Sequence, residues 1–359
     1  MPRVSVIIPA YNQAQYLGEA IQSVLDQRYG DYEIIVVDDG STDNTREVAA
    51  RFARQIRYIW QENKGLAGAR NTGIRAARGE LIGLLDSDDQ WLPAFLAEMT
   101  ALADQRPEAA VYYCGAQCMD ENGRLLPQSV GLAAAPLDGP DALYQTLLRA
   151  NFIIPSTTVL RRSAVTSAGL FDQKLRSCED WDLWLRILPA RQFASLPALL
   201  ARYRVHGSSL SADPAGMQQA KSAVVQKHFG PDDRRPDEWS ADKRRAYAGL
   251  YRYYALIFIQ RQNDWPAATR YLRRALQIDA TLSADLSLFY ELALGAQPVG
   301  YRGAPARVDL AANAGHINRL LAGILPRLPV NNWRCCAARP GAQLIMRWVW
   351  RLIIQETSP

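Results

Sequence analysis

Residues 3–9, "RVSVIIP", form an apolar and β-branched run that predicts a buried β-strand. Residues 32–40, "YEIIVVDDG", and residues 80–86, "ELIGLLD", repeat this pattern, and each run ends in acids. Between the first two runs, Leu17 and Ile21 recur at helical spacing. Continuously apolar strands that alternate with helices are typical of a parallel sheet covered on both faces. We therefore predict an α/β, Rossmann-like fold with a mostly parallel sheet and helices on both faces.

The remaining elements of this half follow from their caps and periodicity. Helices are expected over residues 41–55 with Ser41 or Thr42 as N-cap, over 65–79, and over 93–105 with Asp89 as a candidate cap. Beyond residue 116 the alternation breaks down, and "DENGR" (120–124) indicates a hairpin turn.

The chain length of 359 residues exceeds what one compact core usually spans. We expect a main domain over residues 1–229, a charged linker over 230–245 and a helical appendage over 246–341. The appendage should contain one tetratricopeptide-like helix pair plus further helices. No second copy of this pair recurs at a fixed period, which favours a docking element over a solenoid.

Composition is that of a soluble globular protein, with 48% apolar and 21% charged residues. The odd number of cysteines and a first segment that resembles a strand rather than a leader lead us to expect a cytoplasmic protein. Residues 231–359 hold 18 Lys and Arg against 11 Asp and Glu. This basic excess suits an anionic surface such as membrane lipid, although it is equally compatible with a solvated face. We expect no nucleic-acid partner.

The last segment, residues 342–359, is predicted to be an amphipathic helix. Gln and Arg recur every four residues from Gln343 to Gln355, whereas nearly all other positions of 342–355 are apolar. A helix of this length covers roughly 21 Å, less than the ~30 Å hydrocarbon core. Two interpretations stay open: peripheral contact with the inner face of the cytoplasmic membrane, or packing on the appendage or in a homodimer.

An acid cluster in "LLDSDDQW" (84–91) follows the predicted strand at residues 80–86. Asp86 and Asp88, which flank Ser87, provide hard oxygen ligands suited to Mg²⁺ or Mn²⁺. Such triplets are also common in turns. The position at a strand end favours a site, because ligands of parallel sheets bind at the carboxyl ends of the strands.

Other strand ends carry polar groups that suit a nucleotide. Asp39 could accept a pyrimidine N–H or ribose hydroxyls, and Lys64 and Arg70 lie at the start of a helix of small residues. The glycine spacing matches neither a P-loop nor a dinucleotide fingerprint.

A third acidic stretch, "CEDWDLW" (178–184), begins a Trp-rich helix. Glu179 and Asp180 could serve only the helix dipole. Apolar neighbours would alternatively raise a carboxyl pKa, which favours a general base. His206 lies in a polar loop after a strand, and is either structural or a metal ligand.

Together, five stretches make the chain resemble the inverting, non-processive family 2 glycosyltransferases of the GT-A fold. They are "VSVIIPAYNQAQYLGEAIQSVLDQ", "YEIIVVDDGSTDNT", "NKGLAGARNTGIRAARGELIGLLDSDD", "CEDWDLWLRI" and "YRVHGSSLS". The Q-x-x-R-W element of processive members is absent, since "QLIMRW" (343–348) has the wrong spacing.

The resemblance implies roles for individual residues. It places these residues on the nucleotide sugar: Pro9, Ala10, Tyr11, Asn12, Asp39, Lys64, Arg70, Asp86 and Ser87. It implies Asp88, Asp86 and His206 as ligands of Mn²⁺ or Mg²⁺. It implies Asp180 as the general base, with Glu179 beside it.

We therefore expect a metal-dependent inverting transferase. It would move one sugar from a UDP- or dTDP-sugar to a hydroxyl of a glycan or lipid-linked acceptor in cell-envelope polysaccharide biosynthesis. The alternative is a catalytically silent nucleotide-sugar-binding scaffold. A nucleotidyltransferase is disfavoured, because "PAYNQAQY" is not a glycine-rich loop.

Overall fold

A computed structural model describes residues 1–132 and 139–284 of the chain. The chain divides into two compact units, Met1–Lys227 and His228–Pro359. The predicted helix at 342–359, and any appendage helices beyond residue 284, lie outside the described residues.

The first half of unit 1 alternates strands and helices as the apolar runs predicted. The elements are β1 (Val4–Ala10), α1 (Ala14–Leu25), β2 (Tyr32–Asp38), α2 (Thr45–Ala50), β3 (Ile56–Trp60), α3 (Gly65–Ala76) and β4 (Leu81–Leu84). Strand β1 pairs in parallel with β2 and with β4, and β2 pairs in parallel with β3. The carboxyl ends of β1, β2 and β4 therefore meet at one edge of the sheet, where the acids lie.

The second half extends the same sheet through antiparallel pairs, except that β9 pairs in parallel with β6. Its elements are β5 (Gln90–Trp91), α4 (Phe95–Gln105), β6 (Ala109–Met119), β7 (Leu125–Val130), α5 (Gly139–Arg149), β8 (Thr158–Arg161), α6 (Arg162–Ser167), α7 (Glu179–Ile187), β9 (Gln192–Arg204) and α8 (Pro214–Phe229). The strand order is β3-β2-β1-β4-β8-β6-β9-β5, with β7 paired to β6. The β6–β7 turn lies where "DENGR" predicted it. The antiparallel insertion of β8 beside β4 brings the later helices toward the strand ends that carry the acids.

Helices cover both faces of this sheet, which confirms the predicted fold class. Val6 and Ile8 of β1 belong to a fully buried cluster with Leu17 of α1 and Phe95 of α4. Ile7 points to the opposite face, where it meets α3. Burial of each such side chain stabilises the fold by about 1.5–3 kcal/mol.

Helix α3 approaches β1 unusually closely, because residue 73 has no side chain. A Cβ placed on Gly73 would lie 2.4 Å from the Cγ2 atom of Ile7. This distance is far below a van der Waals contact. The spacing between α3 and the sheet therefore requires glycine at this position.

Two predicted helix caps are wrong. Helix α2 begins at Thr45, and its preceding residue is Asn44 rather than Ser41 or Thr42. Ser41 instead accepts a hydrogen bond from the backbone N–H of Asn12. Asp89 does not cap α4 either, since its carboxylate accepts the backbone N–H of Arg204. In each case the side chain that was predicted to cap a helix instead accepts a hydrogen bond from a segment distant in sequence.

Unit 2 contains the predicted helix pair, and its helices meet in a turn at residues 263–264. Its helices are α9 (Ala241–Gln262) and α10 (Trp265–Ile278), and α9 begins within the stretch assigned to the linker. Asn263 adopts a left-handed conformation with φ 52°, and Asp264 caps α10 through the N–H of Ala267. None of the helices within residues 1–132 and 139–284 has the length and apolarity needed to cross a bilayer.

Candidate active site

The carboxyl end of β1 leads into an exposed turn that is tied to the loop after β2. Pro9 and Ala10 are buried in the strand, whereas Tyr11 and Asn12 are exposed. Asn12 has φ 52°, and its side-chain oxygen accepts the backbone N–H of Thr42 at 2.8 Å. This bond holds the two loops together, so the four residues assigned to the nucleoside form one wall at this edge of the sheet.

Asp39 is buried at the end of β2 beside this wall. Its Oδ1 atom accepts Nε2 of Gln61 at 2.5 Å and the backbone N–H of Lys64 at 2.9 Å. No donor among the described residues reaches the other oxygen, Oδ2. Lys64 is exposed immediately before α3, so its ammonium group is accessible at the same edge. Asp39 therefore retains one oxygen for a ligand N–H or hydroxyl.

The two carboxylates of the D-x-D stretch after β4 point to different partners. Asp86 accepts Nη2 of Arg70 at 2.5 Å, while Oδ2 of Asp88 lies 2.9 Å from Nε2 of His206. Ser87 between them is buried. Ser156, whose hydroxyl accepts the N–H of Asp86 at 3.1 Å, fixes the backbone of this stretch.

The two acids at the start of α7 are divided in a similar way. Glu179 is buried and pairs with Nη1 of Arg70. Asp180 is partly exposed, and its Oδ2 accepts Nδ2 of Asn151 at 2.8 Å. Its other oxygen accepts the backbone N–H of Trp181 at 2.7 Å. Only Asp180 of this pair is left without a direct ion pair to Arg70.

Arg70 joins the D-x-D stretch to the start of α7. Its guanidinium is 1% exposed, lies against the ring of Phe171, and contacts one acid from each stretch, Asp86 and Glu179. Such planar, two-sided pairing is the geometry for which Arg is suited. The resemblance placed Arg70 on the nucleotide or its phosphates, but in the structure its two Nη atoms contact these carboxylates.

Burial dominates the electrostatics of the acids. It raises the pKa of Glu179 to about 7, although the positive charge of Arg70 opposes the increase. Burial also raises the pKa of Asp180, and Arg70, Asn151 and Lys221 oppose that increase. For Arg70, burial alone would lower the pKa, but Asp86 and Glu179 outweigh it and raise the pKa. The guanidinium therefore remains charged, and a carboxylate of raised pKa suits proton abstraction.

Asp88 and His206 are the two predicted metal ligands that the structure brings together. Carboxylate oxygen and imidazole nitrogen 2.9 Å apart can serve one divalent cation. Asp86 points to Arg70 instead, and within residues 1–132 and 139–284 no group of three His, Cys, Asp or Glu side chains is arranged to hold a metal. Asp88 and His206 would thus supply two ligands from the described part of the chain, a number that suits a cation completed by substrate phosphate and water.

Sequence reasoning missed Asn151 and Arg204, which contact the site from distant segments. Arg204 lies inside the quoted "YRVHG" stretch, two residues before His206, and this proximity was the only available signal. Asn151 follows α5 and has no local pattern that marks it. Both residues are brought to the acids by the strand order.

Known proteins resemble this chain in sequence and in fold. A model of the glycosyl transferase family 2 matches residues 5–167. The chain is 31% identical over 217 residues to the putative teichuronic acid biosynthesis glycosyltransferase TuaG of Bacillus subtilis, covering 59% of this chain and 82% of TuaG. The chain belongs to glycosyltransferase family 2.

Other family 2 glycosyltransferases match over part of their length. An uncharacterized glycosyltransferase of Rickettsia typhi is 32% identical over 216 residues, which cover 57% of this chain and 64% of the relative. The match therefore spans less than two thirds of that protein.

Solved structures share the fold of this family 2 chain. Staphylococcus aureus TarS 1–349 in complex with UDP-GlcNAc superimposes with a TM-score of 0.57 at 21% identity, over 81% of this chain and 87% of TarS 1–349. The mannosyltransferase PcManGT of Pyrobaculum calidifontis, in complex with GDP-Man and Mn²⁺, gives 0.53 at 18% identity, over 98% and 85%. At these identities the likeness concerns the fold.

Proposed function

We propose that this protein is a metal-dependent inverting glycosyltransferase that transfers one sugar from a nucleotide-diphosphate donor to an acceptor hydroxyl. One observation carries the proposal: Arg70 connects the D-x-D stretch to the start of α7. This arrangement leaves Asp88 beside His206 on one side and Asp180 beside Asn151 on the other. An inverting transfer needs a leaving-group site and a base, and the two sides supply them.

Asp180 is the proposed general base. It removes the proton of an acceptor hydroxyl, whose oxygen then forms a bond to the anomeric carbon. The bond from this carbon to the diphosphate breaks on the opposite face, and the nucleoside diphosphate leaves with the electron pair. Partial exposure makes Asp180 accessible, whereas Glu179 is buried against Arg70.

Asp88 and His206 are the residues that would hold Mn²⁺ or Mg²⁺. A bound divalent cation would neutralise negative charge on the departing diphosphate. The Mn²⁺ in PcManGT supports the use of a divalent cation. Asp86, which the sequence placed with them, would act through its ion pair with Arg70.

Pro9, Ala10, Tyr11, Asn12 and Asp39 are proposed to line the nucleoside, with Lys64 near the phosphates. The donor is proposed to be a UDP- or dTDP-sugar, which the UDP-GlcNAc bound to TarS supports. The relation to TuaG supports an acceptor in cell-envelope polysaccharide, either a glycan or a lipid-linked sugar. A cytoplasmic location, with peripheral membrane contact through residues 342–355, remains a prediction.

A donor screen tests this function. The full chain is assayed for nucleoside diphosphate release from UDP-, dTDP- and GDP-sugars with a mixed glycan and lipid-linked acceptor panel, in Mn²⁺, Mg²⁺ or EDTA. We expect release with a uridine or thymidine donor, its loss in EDTA, and a decrease of about 10²–10³-fold for Asp88→Ala. Asp104→Ala, which removes an exposed acid paired with Arg3, is the matched control and should retain full activity.

Two results would contradict the proposal. UDP binding by calorimetry, without turnover of any donor, would indicate a silent nucleotide-sugar binder. Full activity in EDTA would remove the metal from the reaction.

A further inference from the structure

Arg204, the last residue of β9, is buried next to the D-x-D stretch but has no role in the function proposed above. It is 2% exposed. Its Nε donates to the backbone carbonyl of Asp88 at 2.8 Å, and its own backbone N–H donates to Oδ1 of Asp89 at 2.8 Å. Arg204 therefore holds both residues that end the acid cluster, and it does so without occupying the carboxylate of Asp88.

The remaining donors of Arg204 attach to two other segments. Nη2 pairs with Oε2 of Glu19 in α1 at 2.5 Å, and Nη1 donates to the carbonyl of Glu121 in the β6–β7 turn at 3.1 Å. A buried guanidinium is costly unless its charge and its N–H groups are satisfied. Here Glu19 balances the charge, and the carbonyls of Asp88 and Glu121 accept the other hydrogen bonds.

An aromatic ring connects Arg204 to His206. The guanidinium carbon lies 4.5 Å from the centroid of the Tyr16 ring. The ring of Tyr16 in turn lies 5.2 Å from that of His206. At this distance the guanidinium is attracted to the face of the Tyr16 ring. The position of the imidazole thus depends on the same side chain that holds the Asp88 backbone.

We propose that Arg204 is a positioning residue that holds Asp88 and His206 side by side, and that the affinity of the site for its divalent cation depends on it. This inference rests on the proposed function. Because each of its three guanidinium nitrogens already has an acceptor and the side chain is buried, Arg204 is not placed to contact the sugar donor or the acceptor. It acts through the backbone of Asp88 and through Tyr16.

The test measures Mn²⁺ binding in the presence of UDP by the electron paramagnetic resonance signal of free Mn²⁺, so that turnover is not the readout. The variants are Arg204→Gln and Arg204→Lys in the full chain. Lysine keeps the charge, but one ammonium group cannot reach Asp88, Glu19 and Glu121 together. We expect both variants to bind Mn²⁺ about 10–100-fold more weakly than the unchanged protein, which is the usual cost of losing a group that orients metal ligands.

Arg161→Gln is the matched control. Arg161 also pairs with a glutamate, Glu80, donates to the backbone carbonyl of Ala109 and lies over a tyrosine ring, that of Tyr112. It contacts none of the candidate site residues. We expect Arg161→Gln to lower the melting temperature in the manner of Arg204→Gln while it leaves Mn²⁺ affinity unchanged.

A second variant keeps the inference testable if the Arg204 variants fail to fold. Tyr16→Leu leaves Arg204 intact and removes only the ring between the guanidinium and His206, and we expect it also to weaken Mn²⁺ binding. Unchanged Mn²⁺ affinity in the folded variants would overturn the inference while the proposed function stands. If the unchanged protein itself binds no Mn²⁺ with UDP, the metal-dependent function and the inference both fail.

Discussion

The two acid pairs of the site, Asp86 with Asp88 and Glu179 with Asp180, differ in sequence spacing but share one arrangement. In each pair Arg70 neutralises one member, Asp86 or Glu179. The other member faces a different polar group, which is His206 for Asp88 and Asn151 for Asp180. The comparison shows that a carboxylate paired with Arg70 is held in an ion pair, whereas a carboxylate without that ion pair could still bind a cation or a proton.

The two available acids also differ from each other. Asp88 lies beside an imidazole nitrogen, a neighbour suited to sharing a cation. Asp180 accepts hydrogen bonds only from neutral N–H groups, those of Asn151 and Trp181, among the described residues. A carboxylate with such neighbours can take up a proton, so the two sides of Arg70 are suited to different steps.

The largest expected effect separates the two members of the α7 pair. Asp180→Asn keeps the shape of the side chain but removes the proposed base, so we expect transfer to fall by about 10³-fold. Glu179→Gln should cost less, because Glu179 is buried against Arg70 and does not contact the acceptor. Nucleoside diphosphate release with each variant measures the difference. Equal losses would mean that the pair acts as one unit.

Replacement of Arg70 tests whether its role is to pair the acids. Arg70→Met leaves two carboxylates without their partner, and we expect the free energy of unfolding to fall by about 3–5 kcal/mol, the usual cost of breaking a buried pair. Urea denaturation measures this change.

A double variant sharpens the test of Arg70. Adding Glu179→Gln to Arg70→Met removes one unpaired charge and should recover part of the stability. If Arg70→Met is as stable as the unchanged protein but has a raised KM for the donor, Arg70 contacts phosphate, as the sequence resemblance implied.

The smallest expected effect concerns Asn151 and the pH dependence of transfer. Burial raises the pKa of Asp180, and the amide of Asn151 opposes this, together with Arg70, the N–H of Trp181 and Lys221. Asn151→Ala removes one opposing interaction, so the pKa of Asp180 should rise further. Because a base must be deprotonated, the acidic limb of kcat against pH should move to higher pH, with little change on the plateau.

A distant substitution of the same kind is the control for Asn151. Asn122→Ala, in the exposed β6–β7 turn, should leave the pH profile unchanged. An acidic limb that moves to lower pH in Asn151→Ala would contradict the assignment of Asp180 as the titrating base.

The parts of the structure that depend on local pattern could be predicted from the sequence. The apolar runs of β1, β2 and β4, the acids that follow β2 and β4, and the α9–α10 helix pair all follow from neighbouring residues. The contacts of Arg70 with Glu179 and of Arg204 with Asp88 join residues more than a hundred positions apart. They depend on the strand order, which no local pattern encodes.

Local pattern gave wrong helix caps where a distant segment forms a hydrogen bond with the predicted capping side chain. Ser41 is a good helix cap by type, but the loop after β1 supplies the N–H of Asn12 to its hydroxyl. The same holds for Asp89, whose carboxylate accepts a hydrogen bond from the backbone N–H of Arg204, a residue 115 positions later in the chain. Propensity is a weak guide wherever tertiary hydrogen bonds are available.

The close approach of Gly73 to Ile7 affects the position of Arg70, although Gly73 itself has no functional group. Arg70 lies one helical turn before Gly73 on α3, so the height of this helix above β1 sets how far the guanidinium extends. A methyl group at residue 73 would clash with the side chain of Ile7. It would lift the helix and withdraw the only cation that spans both acid pairs of the described chain, although no catalytic atom had been changed.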